Sequence, residues 1–307
     1  MIAKILDEHR RRLSRLAEKR GVAQLRKLYD QALAELERKL HALARGMDSS
    51  FSAHQLRVFI AQIRQGQHLL AKRMLGELGD ISKEAQVESL RGLSDSLHRL
   101  EKHFTGADVV LNIDEAARFQ GIIDGRRQSL LRAHETSMAN YSAEVVTRVE
   151  DQLALSLVQN ETTTQAVQRV MDTADLNFWR AERIVRTETA FAAGAANYDG
   201  MIEAGKELDD LWMQWSEYVT DDGVPRDDRV GEDSIAMNGQ VAKVGEWFTF
   251  PSTMPDGESV PKSCEKMIGQ TWDFPPNRPN DRSVLLPFRK SWGEPGWQWK
   301  SGRRVQV

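Results

Sequence analysis

Several things are scarce in this chain, and each scarcity excludes something. There is one cysteine, Cys264. A lone thiol closes no internal disulfide and cannot by itself build a thiolate metal site, so a reducing environment is expected. No proline stands before residue 205, although nine follow it. Aromatic residues make up only 7% of the chain. Long apolar runs are missing: no stretch approaches the roughly 18 residues of a membrane span, so no membrane partner is expected. The N-terminal segment carries Asp7 and Glu8 inside its apolar spacing and lacks a small-residue cleavage site, so it does not read as a signal peptide.

Enzyme signatures are missing too. There is no Gly-rich phosphate loop with lysine, no His-Glu-x-x-His and no Gly-x-Ser-x-Gly. The seven histidines, His9, His41, His54, His68, His98, His103 and His134, are scattered through the first half and read as helix-surface residues. Asp221–Asp222 and Asp227–Asp228 read as an acidic loop rather than a divalent-cation site. No catalytic residue, cofactor or metal is therefore assigned, and a non-enzymatic protein is expected.

The proline-free portion is patterned instead at three- and four-residue spacing, which predicts helix. Helices are expected over residues 2–19 and 22–44, with Gly21 and Gly46 as stops. Ser52 with Gln55 is a capping-box pattern opening a third helix that Gly79 ends. Ser82 then caps a fourth, running to about residue 103. Further helices are expected over 114–139 and 141–159. Thr162 with Gln165 caps a short one, and the last long helix covers 176–205. Amphipathic helices of this length predict antiparallel hairpins or an elongated bundle.

Beyond residue 208 the character changes. Seven of the eight tryptophans lie in this part, among Gly, Pro and Asp clusters. A run from Trp212, and segments 240–244, 246–250 and 283–287, predict short strands. The fold class expected is α+β: a long N-terminal helical bundle or set of helical hairpins, then a small loop-rich α+β module with short antiparallel strands. The expected divisions are an elongated helical region at 1–160, the module at 161–290 with its helix at 176–205, and a Trp-rich basic tail at 291–307.

Five elements recur in a recognisable order. The helical segment 181–190 holds Arg186, Thr187 and Glu188, and continues to Asn197. Trp215 follows on a strand, then Asp227-Asp228-Arg229-Val230, then the apolar-Asn-Gly turn Ala236-Met237-Asn238-Gly239. Next comes Gly245-Glu246-Trp247-Phe248-Thr249-Phe250-Pro251, and the closing segment Pro279–Pro287 includes Asp281 and Arg282. In order and spacing, residues 160–290 resemble the phage Mu F-like (SPP1 gp7-like) head-morphogenesis family of minor head proteins. The resemblance assigns structural roles to Arg186, Thr187, Glu188, Trp215, Asp228, Arg229, Asn238, Gly239, Phe248, Pro251, Asp281 and Arg282. Many members carry a histidine before the Asn-Gly turn and close on Cys-Arg-Cys. Ser234 and Asp281-Arg282-Ser283 stand there instead, so the resemblance implies no zinc site.

Arg186 and Glu188, two apart, face different directions on a helix. Each is expected to reach into the following module, Arg186 toward Asp227–Asp228 and Glu188 toward Arg229 or Arg282. The resemblance further implies a virion protein, in the head interior or at the portal vertex, made in the host cytoplasm. Its implied partners are the phage portal and the major capsid or scaffolding protein, with effects on DNA packaging or ejection.

Charge is uneven. Residues 1–45 hold twelve Lys/Arg against six Asp/Glu; 203–233 hold eleven acids against three bases; the last thirty hold seven bases against two acids. Arg10, Arg11 and Arg12 could lie on double-stranded DNA phosphates, or form a solvated helix face paired with its own acids. Trp297, Trp299, Arg303 and Arg304 suit a partner groove or base stacking. The alternatives are thus a DNA-binding internal virion protein without portal contact, and a phage-encoded enzyme such as an ADP-ribosyltransferase or nuclease.

Overall fold

The computed structural model describes residues 5, 8, 11, 12, 15, 21–44, 52–176, 178–217, 230–275, 283–292, 297–300 and 303–306. Long helices packed together form the N-terminal region, and a small antiparallel-strand α+β region follows. The helices are α1 (Val22–Ala44), α2 (Ala53–Thr105), α3 (Ala116–Val158), α4 (Thr163–Leu176), α5 (Phe178–Ala204) and the short α6 (Glu232–Met237). The strands are β1 (Leu211–Ser216), β2 (Val241–Lys243), β3 (Phe248–Thr249), β4 (Thr271–Trp272), β5 (Val284–Arg289), β6 (Trp297–Lys300) and β7 (Arg303–Gln306).

Both helix starts read from capping residues are present. Ser52 N–H donates to Gln55 Oε1 at 2.6 Å, and Gln55 N–H donates to Ser52 Oγ at 3.3 Å. Thr162 and Gln165 repeat the exchange at 2.8 and 3.3 Å ahead of α4. Reciprocal capping satisfies two donors that the first turn leaves open.

Two expected helix breaks do not occur. Gly79 and Ser82 lie inside α2, because Leu70, Met74, Leu78, Ile81 and Ala85 continue one buried stripe through them. A glycine costs an exposed helix interior about 1 kcal/mol, which continuous burial of a stripe outweighs. The expected division at residue 140 is also lost: Leu130, Met138, Tyr141, Val145, Val149 and Leu153 run uninterrupted along α3.

The described chain forms two compact units, each drawn from separated segments. One comprises residues 18–81 and 129–188; the other comprises 1–17, 82–128 and 189–307. The all-helical unit buries Leu25, Tyr29 and Leu40 of α1 with Phe59, Ile63 and Met74 of α2. Val145 and Val149 of α3, Val167 and Val170 of α4, and Phe178, Ala181 and Val185 of α5 complete that core. Tyr29 hydroxyl donates to the Ala174 carbonyl, and Gln55 Nε2 donates to Thr163 Oγ1 at 3.1 Å.

In the strand-bearing unit, Leu93, Leu97 and Leu100 of α2 and Ala195, Met201 and Ala204 of α5 share a core with Leu211, Met213 and Trp215 of β1. Leu285 and Leu286 of β5 and Phe248 of β3 join it. The main sheet has the order β2-β1-β5, all antiparallel, with Trp215 opposite Leu285 and Met213 opposite both Ala242 and Pro287. Here β5 runs through Pro287 to Arg289 instead of stopping at the proline. It is an edge strand, where a missing N–H costs little pairing. Strands β3 and β4 make a second small sheet. The basic tail is an antiparallel hairpin of β6 and β7, with residue 299 opposite 304.

Candidate functional site

The motif residues of the strand-bearing unit meet at the end of β1. Trp215 is fully buried and its indole N–H donates to Glu217 Oε1 at 2.7 Å. Ser283 hydroxyl donates to the same oxygen. Glu217 is itself 1% exposed, and its backbone N–H donates to Asn238 Oδ1 at 3.1 Å. Gly239 N–H then donates to Trp215 O at 2.8 Å, and Trp215 N–H donates to Gln240 O at 2.8 Å. Gly239 takes φ +79°, which a side chain rarely adopts, so this turn needs glycine. The Phe248 ring stands edge-on to Trp215 at 5.4 Å.

Trp215, Asn238, Gly239 and Phe248 are therefore brought together, with Pro251 half-buried just beyond Phe250. Sequence reasoning missed Glu217 and the role of Ser283. Alternation along β1 was the available signal, since residues 215 and 217 fall on one side of an extended chain. Ser234, which occupies the histidine place of the resemblance, is fully buried on α6, and its carbonyl accepts Asn238 N–H at 3.0 Å. Asp228, Arg229, Asp281 and Arg282 lie outside the described residues.

Comparison with protein-family models, with curated proteins and with solved structures finds no match to this chain.

Among the described residues the helical motif residues have partners on the helices. Arg186 Nη2 donates to Glu182 Oε1 at 2.7 Å, one turn back on α5. Glu188 Oε1 accepts the Ser137 hydroxyl of α3 at 2.7 Å, and Glu188 Oε2 lies 3.5 Å from His134 Nε2. Thr187 Oγ1 donates to Arg183 O at 2.8 Å. Arg186 and Glu188 thus have partners within the helical unit, while Asp227, Asp228, Arg229 and Arg282, toward which they were expected to reach, lie outside the described residues. Helix periodicity tells which side of α5 they occupy but not which helix covers that side. His134 also departs from the surface reading, being 1% exposed.

The tie between α5 and the sheet is made further along the helix. Asn197 is fully buried, and its Nδ2 donates to the Leu285 carbonyl of β5 at 2.8 Å. At Gly194 the backbone of Pro275 comes so close that a Cβ would collide with its carbonyl oxygen. Arg126 of α3 grips Asp199 bidentately at 2.8 Å through both contacts, and its guanidinium lies 5.4 Å from the centre of the Phe274 ring. The Asp199 carboxylate hydrogen bond, together with its charge, pushes the Arg126 pKa up against its burial.

Of the basic candidates, Arg12 is spent on Asp95 at 3.1 Å, and nearby Arg99 holds Glu8 at 2.7 Å. Arg11 is helical, and Arg10 lies outside the described residues. Trp297 and Trp299 belong to β6, Arg303 and Arg304 to β7.

Two arrangements have the composition of a catalytic or ligand site. Ser94 Oγ lies 3.3 Å from His98 Nδ1, and His98 Nε2 lies 3.1 Å from Asp114 Oδ2. The hydroxyl already donates to Asp114 Oδ1 at 2.5 Å, and Nδ1 faces the Ser94 carbonyl at 2.8 Å. The ring therefore does not accept the serine proton, as a nucleophile's base must. A groove of about 660 Å³ lies in the helical unit between Arg148, Asp151 and Gln152 of α3 and Gln165, Gln168, Arg169 and Asp172 of α4. Its Arg169 is held by Glu161, by Gln152 at 3.2 Å and by Gln159 at 2.9 Å. Among the described residues no group of three or more His, Cys, Asp or Glu could hold a metal ion, and no helix is long and apolar enough to cross a membrane.

Proposed function

We propose that the chain is a minor head protein of a tailed bacteriophage, which binds portal or capsid during procapsid assembly and affects DNA packaging or ejection. The observation that supports this reading is convergence. Trp215, the Asn238–Gly239 turn and Phe248, found in order along the chain, belong to one buried hydrogen-bonded and aromatic cluster. Ser283, from the closing segment of the same series, reaches that cluster through Glu217. Binding and geometry would be the mechanism, with the cluster holding the strand-bearing unit rigid enough to act as a docking body.

The test is co-expression with the portal, shell and scaffolding proteins of the virus that encodes the chain, followed by purification and imaging of particles. The chain is expected to co-purify with portal oligomers at moderate salt and to be retained in particles in few copies. Particles that assemble normally and exclude the chain would overturn the reading. Binding to DNA alone, with steep salt dependence, would favour the internal DNA-binding alternative instead.

A further inference from the structure

The head-protein reading makes no use of Trp179, the one tryptophan before residue 205. It stands on the first turn of α5, in the helical unit, and is 49% exposed. A large aromatic left half open is apolar area that folding did not use. The guanidinium groups of Arg180 and Arg183 each lie 5.2 Å from the centre of its ring. Arg183, one turn further along α5, is exposed, and among the described residues no carboxylate meets its guanidinium.

Arg180 reaches across to α3, where it bonds Glu144. Arg148, one turn along α3, approaches the same Glu144 oxygen at 3.5 Å. The Arg180 hydrogen bond, with the charges of Arg180 and Arg148, holds the Glu144 carboxyl below the usual carboxylate range, so it is ionised at neutral pH. Three guanidinium groups thus stand against one carboxylate, and positive charge is left over beside an open indole. Acids on the neighbouring turns are committed elsewhere: Glu182 to Arg186 at 2.7 Å, Asp175 to Arg26 at 2.9 Å and Glu150 to Arg64 at 2.7 Å. The groove that Arg148 also lines carries Asp151 and Asp172, so the positive area ends on that side.

We propose that Trp179, with Arg148, Arg180 and Arg183, forms a binding surface for single-stranded nucleic acid. A base stacks on the open part of the indole, and any base can do so because each has a flat π-face. Adjoining phosphates meet Arg183 and Arg148, whose forked donors fit phosphate oxygens. Arg180 is only 17% exposed and already bonded to Glu144, so it adds charge and fixes the patch on α3.

The pairing of charge with an open aromatic selects this partner over other polyanions. An acidic protein segment would answer the arginines and leave the indole idle. A duplex would present phosphates but keep its base faces stacked inside. A single strand supplies both, the phosphate for the guanidinium groups and the unstacked base for the ring. Base faces and phosphates are common to DNA and RNA, so the surface serves either.

Fluorescence anisotropy of the full chain with a labelled oligothymidylate of about twelve nucleotides tests this between about 20 and 200 mM salt. Binding is expected to weaken as salt rises. Trp179→Ala should weaken it by roughly five- to hundredfold, the loss of one stacked base, while Trp179→Phe keeps most of it. Arg183→Gln should lower the slope of log affinity against log salt by about 0.7, the share of one phosphate on a single strand. Both side chains are exposed, so the thermal midpoint should hold; if Trp179→Ala does not fold, Arg183→Gln and Trp179→Phe decide the matter. An oligouridylate should respond to the changes in the same way. No binding at the lowest salt, or binding that survives both Trp179→Ala and Arg183→Gln, would overturn the proposal. So would a duplex that binds as tightly as the single strand, or polyglutamate that displaces the oligonucleotide as readily as unlabelled strand does. Co-purification with portal oligomers is a separate readout that stands on the strand-bearing unit, so neither result decides the head-protein reading.

Discussion

Glu217 and Glu101 are both buried in the strand-bearing unit, and an indole N–H meets each: Trp215 at 2.7 Å and Trp292 at 2.9 Å. Each carboxylate also has a second donor, the Ser283 hydroxyl for Glu217 and Arg289 for Glu101. Removing such an acceptor strands two donors away from water. Glu217→Ala is therefore expected to cost about 2–4 kcal/mol, read as a lowered urea midpoint with unchanged slope. Glu101→Ala also leaves the Arg289 charge short of a partner, although Asp210 still accepts its Nε. A loss of about 3–5 kcal/mol is expected by the same measurement. Asn197→Ala should cost about 1–3 kcal/mol, because the Leu285 carbonyl loses its side-chain donor. At this scale Trp215 and the Asn238–Gly239 turn were singled out by the family resemblance, and they meet in one buried cluster. Asn197 was legible as part of a segment, but its partner was not.

Helix α2 and helix α5 use glycine in opposite ways. A Cβ at Gly79 would meet only Leu131 Cδ2, at 3.8 Å, which is ordinary contact. Gly79→Ala is therefore expected to stabilise the helical unit by about 0.5–1 kcal/mol, seen as a raised thermal midpoint. A helix stop at that position would give the opposite sign. At Gly200 of α5 a Cβ would come within 2.7 and 2.8 Å of Leu90 and Leu93, and at Gly194 it would strike the Pro275 backbone. Gly194→Ala should cost about 1–3 kcal/mol, since backbone yields less than the end of a flexible side chain. The sequence reads Gly194 and Gly200 as glycines within a helix and Gly79 as a stop, although all three lie within helices. What distinguishes them is the element across the contact, which no local pattern encodes.

Segments far apart in sequence make up each compact unit. Leu93, Leu97 and Leu100 of α2 share a core with Ala195 and Met201 of α5, and Tyr29 of α1 with Phe178 of α5. Two fragments made by cutting at 160/161 would each expose half of a core. Expressed separately, neither is expected to show a cooperative thermal transition, while mixing them should restore one, followed by circular dichroism. A fragment 161–307 that unfolds cooperatively alone would show that β1, β2 and β5 with α5 are self-sufficient.

Helix and strand content, the two capped helix starts and the change of architecture after residue 205 followed from the amino-acid sequence by itself. Periodicity, capping and proline placement act within a few residues of chain, so one sequence is enough to read them. Tertiary structure alone decided that α2 and α3 run unbroken, that Glu188 turns to His134 and Ser137, and that Asn197 bonds the Leu285 carbonyl of β5. Those outcomes depend on which surface is packed opposite each side chain, a property of segments brought together from distant parts of the chain.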